Sequence, residues 1–241
     1  MEKEFNFRKG EVLLVDKPLQ WTSFDVVNKL RWKLKNKYGI KRFKVGHAGT
    51  LDPLATGLLL ICTGKSTKIS QSLTTEDKTY TGTFLLGETT PSFDLETEVD
   101  ATYPIEHITK DKINQVAKQF VGEQKQTPPI FSAKKVDGKR AYESARKGEK
   151  ITLKENDITI FTFEIEALRL PEVDFKIKCS KGTYIRTIAN DFGKLLDAGA
   201  TLIGLRRTQS GDFTIENAKT VEEWCDTIDL CKVGDLFLGQ Q

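Results

Sequence analysis

Lys44-Val45-Gly46-His47-Ala48-Gly49-Thr50-Leu51-Asp52-Pro53-Leu54-Ala55-Thr56-Gly57 stands between a helical pattern and an apolar, strand-like one, and it carries a single carboxylate, Asp52. Glycines at 46, 49 and 57 open backbone angles that other residues avoid, and Pro53 fixes φ directly after the aspartate. An Asp-Pro step after two glycines reads as a stiff, sharply turned loop rather than a helix or strand interior. Such a loop, held by a scaffold, can present a functional side chain. The alternative is a turn in which Asp52 bonds its own backbone.

Outward from this run, Val12 to Val15 reads as a short buried strand stopped by Asp16-Lys17-Pro18. Thr22 or Ser23 caps a helix that ends near Gly39, with Phe24, Val27, Leu30 and Leu34 on its inner face. Leu58 to Thr63 is strand-like, Ser66 to Leu73 a short helix, Lys78 to Leu86 a strand, and the acidic stretch around Pro91 a loop. Asp111 to Val121 is amphipathic, with Gly122 as its stop. Gln126-Thr127-Pro128-Pro129 breaks regular structure, and the basic segment from about 124 to 150 is expected to form an irregular arm with a helix around Ala141 to Arg146. Ile158 to Ile165 is β-like, and Val173, Phe175, Ile177 and Cys179 alternate as on a half-buried strand. A helix follows from Thr183 to Leu196, with Ile185, Ile188, Ala189, Phe192 and Leu195 inward, then a strand over Leu202 to Arg206 and a helix over Val221 to Ile228. Strands and helices do not alternate regularly, so the expectation is α+β with a mixed, mainly antiparallel sheet, in one domain over residues 1–241.

Composition narrows the chemistry. The 241 residues are 38% hydrophobic and 29% charged, as in a globular protein with a core. The longest apolar run, Leu58 to Cys62, is too short to cross a membrane, and the start has no apolar signal region, so a cytoplasmic location is expected. Four cysteines without a C-x-x-C pair and two histidines offer no zinc or iron–sulfur pattern, and no phosphate-cradling or dinucleotide run is present. No metal and no cofactor are expected. A lone carboxylate without a second acid or a positioned histidine base disfavours glycosidase and serine-triad chemistry. Aspartate as nucleophile or base remains.

Net charge is only +3, yet it is segregated. Lys29 to Lys44 holds eight basic residues and no acid, with Trp32, Tyr38 and Phe43 interleaved, whereas Glu88 to Thr109 holds six acids and no Lys or Arg. Basic charge with aromatics suits a polyanion with stackable bases; the competing explanation is a solvated helix face.

The run from Gly46 to Gly57 resembles the catalytic loop of the TruB-type tRNA pseudouridine synthases. Four further segments match that family in order: Leu13-Leu14-Val15-Asp16-Lys17-Pro18, Lys78-Thr79-Tyr80, Cys179 through Thr187, and Leu205-Arg206-Arg207-Thr208. The resemblance covers roughly Gly10 to Phe213 and implies the pseudouridine synthase fold and isomerisation of uridine 55 in the tRNA T-loop, by base flipping and without a cofactor. It implies Asp52 as nucleophile or base, with the ribose, uracil and proton-abstraction routes all open. It implies Arg186 as partner of that aspartate, where a guanidinium favours the ionised form; from the residues alone a phosphate contact or surface arginine competes. Tyr80 would stack on the flipped uracil, and Tyr184 and Leu205 would line its pocket, with core packing as the alternative for all three. His47 would fill the gap left by the extruded nucleotides, Lys17 would support the loop or a phosphate, and Arg206 with the basic arm would meet RNA phosphates. Many bacterial relatives carry a C-terminal PUA domain, for which the residues after the closing motif leave no room. The expected partner is the tRNA T-arm, with the protein a monomer. A non-catalytic T-arm chaperone and a base glycosylase are the rival functions.

Overall fold

A computed structural model describes residues 5–131 and 153–231, together with the backbone of Lys135–Val136 and Lys139–Arg140. The helix expected around Ala141 to Arg146, and most of the basic arm, lie outside the described residues. The first elements are β1 (Val12–Lys17), α1 (Ser23–Tyr38), β2 (Val45–Ala48), β3 (Ala55–Thr63) and, after a 3₁₀ turn, α2 (Ser70–Thr75). Next come β4 (Lys78–Leu86), β5 (Glu88–Thr89), β6 (Ala101–Thr102), α3 (Lys110–Gln119) and β7 (Gly122–Gln126). The short strands β8 (Lys135–Val136) and β9 (Lys139–Arg140) precede β10 (Asn156–Arg169), β11 (Glu172–Cys179), α4 (Ile185–Leu196) and β12 (Ala200–Ser210). β13 (Phe213–Thr214), β14 (Lys219–Thr220) and α5 (Val221–Leu230) close the described chain.

The chain forms two compact units, Met1–Glu76 with Arg207–Gln241, and Asp77–Arg206. In the first, β1 runs antiparallel to β3 from Val12↔Cys62 to Lys17↔Gly57, β2 runs antiparallel to β3 on its other side, and β14 pairs β1 in parallel. Apolar residues at every inward position make β3 almost continuously buried. Helix α1 is held at both ends. Thr22 and Asp25 form a capping box, and Gly39 takes the left-handed C-cap. Its inner face is Ser23, Val26, Val27, Leu30 and Leu34. Phe24, expected inside, is 57% exposed, with the Arg31 guanidinium 5.7 Å from its ring. Ser23 takes the inward place in that turn because its hydroxyl is used there. In α5, Trp224 is buried and its indole N–H donates to the Leu14 carbonyl at 2.8 Å.

The second unit orders its strands β12, β4, β11, β10, β7, with β4, β11, β10 and β7 successively antiparallel. Its core is aromatic: Phe84 stacks on Phe175 at 4.1 Å between centroids, Phe163 and Phe192 pack against this pair at 5.4 to 6.3 Å, and Phe120 meets Phe163 and Phe192 at 5.8 and 6.2 Å. Each such ring, removed from water, contributes about 1.5–3 kcal/mol. Gly82 is required by close approach, since a Cβ there would lie 2.3 Å from the Gly204 carbonyl oxygen. Helix α4 buries nine residues, the polar Arg186, Thr187 and Asn190 among them. Leu195, expected inward, is 48% exposed, because Phe192 and Leu196 already define the face that meets the core. The helix begins at Ile185, with Tyr184 as its N-cap, rather than at Thr183.

Candidate functional site

The expected loop at 46–57 is shorter in the structure. Val45–Ala48 is a strand paired with β3, β3 begins at Ala55, and the irregular part is the span 49–54 with Asp52 at its turn. Gly49 and Gly57 adopt φ of +81° and +97°, the left-handed side that glycine alone occupies cheaply. Gly46 needs no such angle. The turn closes through the Ala55 N–H, which donates to the Asp52 carbonyl at 3.1 Å.

Each residue next to Asp52 is tied to the same unit. The Leu51 N–H donates to Ser23 Oγ at 2.8 Å, and the Ser23 hydroxyl donates back to the Leu51 carbonyl at 3.1 Å. The Pro53 carbonyl accepts from the Gln20 N–H at 2.8 Å and from Lys17 Nζ at 3.4 Å. Lys17 Nζ also donates to the carbonyls of Pro18 and Trp21, at 2.9 and 2.5 Å. Arg207 reaches the loop's base, with Nε donating to the Leu58 carbonyl at 2.7 Å and Nη2 to the Gly49 carbonyl at 3.0 Å. Asp52 itself remains partly exposed. The result is a partly exposed carboxylate on a backbone tied on both sides.

The electrostatics beneath the loop are cationic. Lys17 and Arg207 are 0% and 1% exposed, and the unit's other buried polar side chains among the described residues are Ser23, Thr63 and Ser210. Burial pulls the Lys17 ammonium down to about 8, against the attraction of Asp52 and with the repulsion of Arg207. His47, half-buried on β2, is held below its ordinary value by burial first and by Arg207 second, and its Nδ1 is buried without a hydrogen-bond partner. Its imidazole therefore favours the neutral form.

Arg186, Tyr80, Tyr184, Leu205 and Arg206 belong to the second unit. Arg186, on the first turn of α4, is 4% exposed, and its Nη1 lies 3.4 Å from Asp94 Oδ2. Asp94 is held in turn: its carbonyl accepts from Thr90 Oγ1 and Ser92 Oγ, and its Oδ1 accepts from the Glu96 N–H. The acidic stretch thus carries one internal anion. The start of α4 is fixed by Gln126, whose Nε2 donates to the Tyr184 carbonyl at 3.1 Å and whose Oε1 accepts the Tyr184 N–H at 2.8 Å. Tyr80 lies on β4 opposite Ile177 and is 9% exposed, while Tyr184, Leu205 and Arg206 are partly exposed.

The basic run of 29–44 divides. Arg31 Nη2 donates to the Val45 carbonyl, Lys33 pairs with Asp229, and Lys37 donates to the Asp229 carbonyl. Those three hold structure. Lys29, Lys41, Arg42 and Lys44 are exposed, and Arg42, Phe43 and Lys44 line a recess with Arg8, Lys65 and Lys68. Among the described residues no group of three His, Cys, Asp or Glu could hold a metal, and no helix is long and apolar enough to cross a membrane.

Sequence reasoning missed Ser23, Gln126, Asp94 and Arg207. Only Arg207 carried a usable signal: two consecutive arginines on a strand point to opposite faces, so one of them must turn inward.

Comparison with known proteins gives consistent matches. Residues 35–185 match the family model described as TruB family pseudouridylate synthase (N terminal domain), and residues 186–232 match that of tRNA pseudouridylate synthase B C-terminal domain. The chain is 58% identical over 213 residues to a tRNA pseudouridine synthase B of Flavobacterium johnsoniae, covering 88% of this chain and 93% of that one. A protein of the same name from Phocaeicola vulgatus is 54% identical over 224 residues, covering 92% and 95%. Among solved structures, a chain in the crystal structure of a Cbf5-Nop10-Gar1 complex superposes with a TM-score of 0.69 at 28% identity. That match covers 91% of this chain and 54% of the other, so the chain spans about half the length of that solved relative.

Proposed function

The chain belongs to the TruB family of pseudouridylate synthases, and we propose that it isomerises uridine to pseudouridine in tRNA, at position 55 of the T-loop. The bond from ribose C1′ to uracil N1 breaks, the base turns, and a bond from C1′ to C5 forms. The C5 proton leaves to solvent and N1 gains one, so the conversion is redox-neutral and needs no electron carrier.

The observation that supports this most is the anchoring of Asp52. A residue that attacks a ribose or a uracil ring must be held within a fraction of an ångström of its target, because misplacement costs rate steeply. Ser23, Gln20, Lys17 and Arg207 bond the backbone on both sides of Asp52. In this reading Asp52 is the nucleophile or base, Tyr80 stacks on the flipped uracil, Tyr184 and Leu205 line its pocket, and Arg186 contributes a guanidinium. His47 occupies the space vacated in the T-loop, and Arg206 meets a phosphate. Base–aromatic stacking at about 1–3 kcal/mol offsets much of the cost of extruding the nucleotide. The protein acts as a monomer in the cytoplasm.

The test is a T-arm RNA carrying tritium at uracil C5. Wild-type protein should release the label and leave the strand intact, with no abasic site. Absence of release would remove the catalytic reading and leave a binding role; strand weakness at the uridine would indicate a glycosylase.

A further inference from the structure

The β2–β3 hairpin loses its backbone ladder just where the Asp52 loop begins. The last paired residues of the two strands are Ala48 and Leu60. Arg207 bridges the two arms beyond that rung. Its Nε bonds the Leu58 carbonyl and its Nη2 the Gly49 carbonyl, one on each arm of the loop beyond the final rung. The guanidinium therefore acts as a side-chain rung across the neck of the loop. Its two bonds leave from the edge of one rigid plane, so the separation of the two carbonyls is set by the group itself.

Burial makes this an expensive choice. Arg207 is 1% exposed, and among the described residues of its unit the buried polar side chains include no carboxylate. A buried cation bonded to carbonyls is a poor way to gain stability, and an apolar side chain of similar volume commonly serves a core at least as well. What an apolar side chain cannot do is fix the distance between Gly49 and Leu58.

We propose that Arg207 is a positioning residue of the catalytic loop, closing its neck so that Asp52 is presented to the uridine in one place. This rests on the proposed isomerase reading. The guanidinium also raises the positive potential at His47, which is one reason that imidazole is held below its ordinary value.

Arg207→Lys and Arg207→Gln separate geometry from charge. A lysine keeps the charge but offers a point donor in place of a fork, and a glutamine loses the charge. With the tritiated T-arm RNA, both variants should lose turnover by about 10²-fold with little change in KM, as expected for misplacement of a reacting group. The chain has two histidines, so His47 can be followed by NMR after assignment with His47→Gln. Its titration should move toward the ordinary value in Arg207→Gln and stay near the wild-type position in Arg207→Lys. Folded variants with wild-type turnover would overturn the proposal, as would a fall in turnover that scales only with the folded fraction. Should both variants fail to fold, the wild type still decides. The Arg207 Nε–H should be protected from solvent exchange, and exchange as fast as in an exposed arginine refutes the clasp. Inactive wild-type protein with a protected Nε–H and the predicted His47 shifts would count against the isomerase reading and leave the clasp standing.

Discussion

Arg186 Nη1 and Asp94 Oδ2 lie 3.4 Å apart with both side chains about 5% exposed, joining α4 to the acidic loop between β5 and β6. The acidic stretch is therefore more than a solvated surface: it supplies a buried counter-charge for an arginine that the family resemblance assigns to the chemistry. The Glu96 N–H donates to the Asp94 carboxylate, which together with the Arg186 pair makes that carboxylate tolerable at this depth, while Thr90 and Ser92 fix the Asp94 backbone through its carbonyl.

Asp94→Asn keeps the shape and removes the charge. Breaking a buried pair from one side leaves the other charge uncompensated, at a cost of about 3–5 kcal/mol. Urea unfolding should show that loss, and the double variant Asp94→Leu with Arg186→Met should recover most of it without recovering activity. A single variant as stable as wild type would mean that the pair carries no such weight.

Ser23→Ala removes both bonds to Leu51 while barely changing volume. The Leu51 N–H and carbonyl are left without that partner, which costs about 1–3 kcal/mol in stability. Turnover should fall while RNA affinity holds, because the hydroxyl touches the loop backbone only. Turnover and affinity measured on the same preparation check this.

The buried Lys17 ammonium makes stability depend on pH in the alkaline range. Its folded value is about 8 against an ordinary 10.5, so between these limits the unfolded chain keeps a proton that the folded chain has released. Stability then rises with pH across that window from this group and is flat outside it. Lys17→Met should lack the rise. Urea midpoints at several pH values from 8 to 10.5, with wild type and variant in parallel, isolate the contribution.

Several parts of this architecture were legible in the sequence because they rest on local rules. The alternation at Val173 to Cys179, the capping residue Thr22, the stop at Gly39 and the Gly–Pro signature around Asp52 each correspond to a structural feature. Phe24 and Leu195 were misplaced because helical periodicity defines a stripe but not its edges, and Ser23 and Leu196 occupy the positions that matter. Asp94 was illegible for a different reason. Its partner is distant in sequence, and nothing local distinguishes it from five neighbouring acids between Glu88 and Thr109. The basic run 29–44 read as one feature, yet folding assigns Arg31, Lys33 and Lys37 to internal bonds and leaves others exposed.

That division gives a prediction about salt. If exposed Arg42 and Lys44 meet RNA phosphates, the affinity for T-arm RNA falls with a log–log slope near −0.7 per phosphate neutralised. Arg42→Glu with Lys44→Glu should flatten the slope by about that amount for each phosphate no longer neutralised. Filter binding over a range of salt concentrations measures it, and an unchanged slope would assign these residues no phosphate.

Whether Asp52 makes pseudouridine in tRNA is decided by mapping the product. Unmodified tRNA transcript is incubated with wild-type protein or Asp52→Asn, treated with a carbodiimide that marks pseudouridine, and read by primer extension. With Asp52 as the catalytic carboxylate, one new stop appears at the T-loop uridine 55 with wild type and none with the variant. A stop that persists with Asp52→Asn, or a wild-type pattern without a stop in the T-loop, would refute that assignment.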